Sequence, residues 1–340
     1  MRLINLDENN AGDGVERAPR YTFCVYGPTG SGKTTYAGSF PRPVFLSEVT
    51  ESGYESLRGI SDDALFEPGI KPIVLGIEKM NDMAMAREVL TPHIASGMVQ
   101  TVVIDSLTFY ADLYLNYLFA LYSANKGDNL KAYGDLGKHL RDLRVKWHQM
   151  GCNVVSLCLP QDPDEGSANA LPAIAGKEGK TGKFAASCDF LLYLRHDRFK
   201  QGSNYIDSFE VHSKPYGNAL ARARRAIGQP ELPTPLVNTC YADTIARLGF
   251  DVDATRAALP EYKDPSAALE AAINGFARAA ATTTPPAMAV TVAAPAAPHV
   301  PTAAAPRHVP NAARPVNGRP PQPTVIRRPA VPVRSTGNNS

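Results

Sequence analysis

Gly27-Pro28-Thr29-Gly30-Ser31-Gly32-Lys33-Thr34 fills every fixed position of the phosphate-binding pattern G-x-x-x-x-G-K-[ST]. The pattern has meaning only between a strand and a helix, and both are written beside it. Tyr21-Thr22-Phe23-Cys24-Val25-Tyr26 is a β-branched and aromatic run that predicts a strand, while Thr34-Thr35-Tyr36-Ala37 opens a short helix before Pro41. The glycines let the backbone curl until consecutive N–H groups face phosphate oxygens. Lys33 adds a mobile positive charge for the β- and γ-phosphates, and the Thr34 hydroxyl suits a Mg²⁺ ion. Thr35 supports the α-phosphate from the first helical turn, where the helix dipole also favours an anion. The stretch therefore points to ATP with Mg²⁺, bound by an α/β fold.

At 340 residues and 44% apolar composition, the chain is long enough for one large or two medium domains with a substantial core. No stretch approaches the ~20 apolar residues that span a membrane, and residues 1–20 lack the apolar centre of a signal peptide. The expected location is cytoplasmic, with no membrane partner. Cys24, Cys152, Cys158, Cys188 and Cys240 are scattered without C-x-x-C spacing, so they read as small core residues rather than zinc ligands or disulfides. The net charge of +2 hides an asymmetry: residues 276–340 hold seven arginines and no lysine or acid, which leaves residues 1–275 at −5. The same tail holds 13 of the 29 prolines among many alanines, a composition that stays extended and disordered. It serves as a solvated linker or as a basic arm for nucleic acid. The expected organisation is a flexible segment over 1–20, one domain over 21–275 and a disordered tail over 276–340.

Along the chain, Pro43-Val44-Phe45-Leu46-Ser47 predicts a second strand, followed by an acidic turn in which Glu48 or Glu51 could orient an attacking water. Residues 71–77 predict a third strand, and Asn81 or Asp82 caps a helix reaching Ala95. Val99 to Ile104 is an apolar run rich in β-branched residues that ends in Asp105, the signature of a strand buried on both faces whose terminal acid emerges at the ligand edge. Asp105 would then hold the magnesium shell opposite Thr34. A helix over 107–123 and an amphipathic helix over 133–150 lead to a strand over 153–159. Gln161 follows it, placed to sense the γ-phosphate, and residues 162–183 form a long loop without periodicity. A strand over 190–194, a hairpin over 204–212, the cluster Arg222, Arg224 and Arg225, and a helical stretch over 241–272 complete the folded part.

This order of features resembles the RecA-like ATPase core, and most closely the phage-type RecA-like ATPases of single-strand annealing and recombination. Gly27 to Thr34 matches the phosphate loop, and Val102-Val103-Ile104-Asp105-Ser106 is similar to the family's magnesium-binding strand. Gln161 falls where the family carries its nucleotide-sensing Gln, and Gly182-Lys183-Phe184-Ala185-Ala186-Ser187 resembles the sequence after its second DNA-binding loop. The resemblance covers about residues 21–229. It implies a RecA-like P-loop NTPase core with a mostly parallel central sheet flanked by helices, a Mg-dependent ATPase, and a homo-oligomeric ring or filament. Arg222, Arg224 or Arg225 would reach across a subunit boundary, while Lys177, Lys180 and Lys183 contact phosphates of single-stranded DNA and Phe184 stacks on a base. Two other readings stay open: a P-loop ATPase of helicase or assembly type, and a nucleotide-gated binding module with little hydrolysis.

Overall fold

A computed structural model of the chain describes residues 18–49, 52–123, 129–161, 170–201, 203–225 and 228–282. The chain divides into two units, Met1–Pro285 and Pro286–Ser340, and the second lies wholly outside the described residues. Glu51, most of the expected tail and residues 162–169 of the long loop lie outside them as well.

The first unit runs β1 (Thr22–Tyr26), α1 (Lys33–Gly38), β2 (Pro43–Glu48), β3 (Ile73–Ile77), α2 (Met80–Ala95), β4 (Thr101–Asp105), α3 (Leu107–Ser123), α4 (Asn129–Gln149) and β5 (Asn153–Cys158). Short pieces follow: β6 (Pro160–Gln161), β7 (Leu171–Pro172), α5 (Lys177–Lys180) and α6 (Lys183–Ser187). The long hairpin β8 (Phe190–Gln201) and β9 (Asn204–His212) leads through β10 (Arg222–Ala223) and β11 (Leu236–Val237) to α7 (Tyr241–Arg247), α8 (Val252–Ala257) and α9 (Ser266–Thr282). Two 3₁₀ turns, Gly53–Gly59 and Asp62–Ala64, lie between β2 and β3.

The main sheet has the order β11-β9-β8-β1-β5-β4-β2-β3, with β10 paired to β8. From β8 to β3 every pairing is parallel, and only β9, β10 and β11 are antiparallel. This is the expected mostly parallel central sheet. β1, β4 and β5 are buried along their whole length because helices cover both faces. On one face Cys24, Val102, Ile104 and Val154 pack with Leu90 of α2, Leu115 of α3, and Leu136 and Trp147 of α4. On the other, Phe23, Phe45, Val103 and Leu192 pack with Tyr36 of α1 and Tyr241 and Ile245 of α7.

Arg42 fastens this second layer. Its guanidinium donates to Glu67 at 2.8 to 3.2 Å, to Gly97 O at 2.7 Å and to Pro260 O at 2.7 Å, and it lies 5.2 Å from the Tyr262 ring centre.

Several boundaries differ from the sequence expectation. α4 starts at Asn129, four residues before the expected start at 133, a start the periodicity does not reveal because the first turn buries little: Leu130 is 86% exposed. β8 extends seven residues past Leu194, and its distal half is held by pairing with β9 rather than by burial. Residues 171–183, read as loop, carry β7, α5 and the first residue of α6. The stretch 241–272 is broken into α7, α8 and the start of α9, which continues through residue 275 to Thr282.

Candidate functional site

β1 delivers the chain to the C-terminal edge of the sheet, where Gly27 begins the phosphate loop. Only glycine fits there: a Cβ would stand 2.0 Å from the carbonyl oxygen of Leu194 on the neighbouring strand β8. The loop closes with Ser31 N donating to Pro28 O at 3.2 Å. Gly32, at φ 84°, turns it into α1, and its Cα faces the Phe209 ring of β9, which a Cβ would meet at 3.1 Å. The Lys33 ammonium donates to Gly27 O and Pro28 O at 2.8 Å each, so the loop's own carbonyl oxygens hold it at the cleft.

Thr34 and Asp105 meet as the spacing implied. Parallel pairing sets Asp105 at the end of β4, and Thr34 Oγ1 donates to its Oδ2 at 3.0 Å. Burial pushes the Asp105 carboxyl up from its ordinary range, while the Thr34 hydrogen bond and the Lys33 charge pull it down. A carboxylate short of solvent and paired with a hydroxyl is a fitting partner for a hard cation, and Mg²⁺ takes few protein ligands beside water and phosphate. Ser31 Oγ is buried at the same cleft without a hydrogen-bond partner, which also fits a site shaped for a polar guest.

The phosphate cleft has a volume of about 480 Å³ and is lined by residues 29–35 together with Ser52, Gly53, Ser56, Asp105, Ser106, Leu159 and Phe209. A second cavity of about 570 Å³ shares Ser31, Gly32, Thr35 and Phe209 with it. It continues past Tyr36 of α1 and Ser39, which caps that helix, to Asp207 and Glu210 of β9 and to residues 238–240 before α7. Each volume falls within the range of small-molecule sites.

The remaining expected residues are spread more widely. Glu48 ends β2 and lines a small cavity with Asp105, Ser106 and Tyr110, behind the phosphate cleft. Gln161 sits two residues past the cleft-lining Leu159 and pairs with Leu171. Thr108, in the first turn of α3, fixes this stem: it accepts from Leu159 N at 3.1 Å and donates to Ala173 O at 2.7 Å. Sequence reasoning passed over Thr108, Gly53 and Phe209. Gly53 lies where a Cβ would be 3.8 Å from Thr34 Oγ1 and 3.9 Å from Asp105 Oδ2.

Phe184 is a correction. The inner face of α6 packs it into the core at 1% exposure, so it has no face for a base. Lys180 and Lys183 are exposed, and the Lys177 side chain lies outside the described residues. Arg222, Arg224 and Arg225 sit at the opposite edge of the sheet from the phosphate loop, since Arg222 pairs with Leu191 while Tyr193 pairs with Tyr26. Arg222 Nη2 donates to Ala186 O and Cys188 O at 2.9 Å each, Arg224 to Ala186 O at 3.0 Å and Arg225 to Gln229 O at 3.0 Å. No helix among the described residues is long and apolar enough to cross a membrane.

Comparison with known proteins bears on the same residues. Residues 20–217, from before β1 to past the hairpin, match the family described as AAA domain. No curated protein matches the sequence. Among solved structures, a KaiC-like protein from the hyperthermophilic archaeon Pyrococcus horikoshii OT3 is similar at 16% identity and a TM-score of 0.37, over 68% of this chain and 89% of that one.

Proposed function

The chain belongs to the AAA-domain family and is a P-loop ATPase, and from that premise we propose that it hydrolyses ATP with Mg²⁺ and acts, as a cytoplasmic homo-oligomer, on single-stranded DNA in recombination or strand annealing. The observation that carries the chemistry is the 3.0 Å contact between Thr34 and Asp105 on the wall of a cleft that the phosphate loop lines. The loop N–H groups and Lys33 hold the phosphates and neutralise their charge. Thr34 and Asp105 hold the Mg²⁺, which supplies charge stabilisation for the transferred phosphoryl group when bound. Thr35 and Phe209 lead from the phosphate cleft into the second cavity, which takes the nucleoside.

Glu48 or Glu51 orients the attacking water, and Gln161 reports the γ-phosphate. The DNA reading rests on the order of motifs and on the exposed Lys180 and Lys183 beside that stem. Arg222, Arg224 and Arg225 are the proposed contributions to a neighbouring subunit. ATP turnover measured with and without single-stranded DNA, together with particle size, tests all of this. The proposal expects turnover that needs Mg²⁺, rises with DNA and is lost in Lys33→Ala. Turnover indifferent to DNA in a protein that stays monomeric with ATP, Mg²⁺ and DNA would leave the ATPase and remove the DNA and assembly roles.

A further inference from the structure

Ser47 is buried beside the magnesium pair, and its hydroxyl has no hydrogen-bond partner among the described residues. Along β2, Val44 and Leu46 enter the core on the side of α2 to α4, and Phe45 enters it on the side of α1. Strand alternation puts Ser47 on Phe45's face. β4 alternates in step, with Val102 and Ile104 on the first side and Val103 on the second. Asp105 therefore emerges on α1's side, where Thr34 reaches it. The strands are parallel with Ser47 directly opposite Asp105, so the two side chains leave the same face of the sheet about 5 Å apart. Ser47 is 2% exposed, and its Oγ has no hydrogen-bond partner.

A buried hydroxyl left unbonded is a net cost to folding, and the apolar residues elsewhere on this face show that the position does not call for one. Asp105 is the polar group that Ser47 faces in the sheet. Thr34 occupies its Oδ2, and a carboxylate accepts more than one hydrogen bond. Where a single carboxylate and a hydroxyl make up the protein side of a cation site, the groups behind the carboxylate set its orientation.

We infer that Ser47 is a positioning residue for Asp105: a change of side-chain rotamer turns its hydroxyl to donate to the carboxylate, fixing it for the cation. The inference rests on the Mg-dependent ATP site proposed above. Its cost to the empty protein and its benefit to the loaded one have opposite signs, which a structural hydroxyl would not show.

The test uses the full chain and a fluorescent ATP analogue. Three quantities are read for wild type, Ser47→Ala and Ser47→Thr: nucleotide affinity in EDTA, the Mg²⁺ concentration that half-restores tight binding, and the melting temperature without nucleotide. In Ser47→Ala the Mg²⁺ midpoint should rise about tenfold, with the EDTA affinity unchanged and the nucleotide-free melting temperature raised. Ser47→Thr, which keeps the hydroxyl, should bring the midpoint back towards wild type. A Ser47→Ala protein with an unchanged midpoint, or with a lowered melting temperature and parallel losses in EDTA and Mg²⁺, would overturn the role of Ser47 alone. Wild-type binding that ignores Mg²⁺ would overturn the magnesium reading, and Ser47's role with it.

Discussion

Gly27→Ala adds one methyl group at the start of the phosphate loop and should damage both stability and nucleotide binding. The new Cβ would lie 2.0 Å from the Leu194 carbonyl oxygen and 2.9 Å from Ser31 Oγ. Close carbon–oxygen contacts in proteins sit at about 3.3 Å, so the overlap with Leu194 is more than 1 Å. Rotation of a side chain does not relieve it, because the oxygen belongs to the backbone of β8, which is paired to β1 from Phe23 to Tyr26. The loop or the strand has to move by about 1 Å. Overpacking of this kind costs about 1–3 kcal/mol, and a shift of that size among reacting groups costs about 100-fold in rate. Gly134→Ala is the matched control: a Cβ there meets nothing within 4 Å, inside α4, and should stabilise by about 0.5–1 kcal/mol. Urea unfolding and ATP turnover of both variants provide the readout. A Gly27→Ala protein as stable and as active as wild type would refute the close approach of the loop to β8.

Arg42→Met removes one side of a buried pair and leaves Glu67 and Pro260 O without their donor, while Gly97 O keeps its bond from Gln100 Nε2, so unfolding should become easier by about 3–5 kcal/mol; a loss under about 1 kcal/mol would show the clamp to be incidental. His139, stacked on Tyr114 and bonded to the Tyr110 hydroxyl, has its pKa lowered to about 4, chiefly by burial. A lowered base favours the folded state above its ordinary pKa and loses that advantage as pH falls through the folded value. Stability should thus drop between about pH 6.5 and 4 by roughly 2 kcal/mol after allowing for partial exposure, and His139→Gln should flatten that segment of a urea-midpoint profile. Phe209→Ala should weaken ATP binding by about tenfold while leaving inorganic triphosphate binding nearly unchanged, in a competition assay, because the ring also walls the second cavity. Equal losses for both ligands would place its role at the phosphates.

What the sequence discloses depends on how local the signal is. β1, β4 and β5 are legible because strands buried on both faces are rich in apolar, β-branched and aromatic residues, and α3 is found over the expected 107–123. Asp105 is legible because a lone acid ending such a run has one place to go. The distal half of the β8–β9 hairpin carries mixed charge and exposed aromatics, so its extension has no pattern to read; pairing such as Arg198 opposite Asp207 holds it. The burial of Phe184 is not legible because a single aromatic in a short stretch looks the same whether its helix turns it outward or inward. Leu194 against Gly27, Phe209 against Gly32 and Thr108 on the Gln161 stem join residues far apart in the chain, and no local run encodes such contacts. Ser47 is ordinary in sequence and becomes informative only when its burial and its missing partner are known.

The most direct test of the account is the Mg²⁺ dependence of ATP turnover in wild type and in Asp105→Asn. The Thr34–Asp105 geometry predicts Mg-dependent turnover in the wild type and a loss of at least about 100-fold in the variant, with folding retained, as befits removal of a charge that holds the cation. Equal turnover by the two proteins across the Mg²⁺ range would contradict the assignment of Asp105 to the cation.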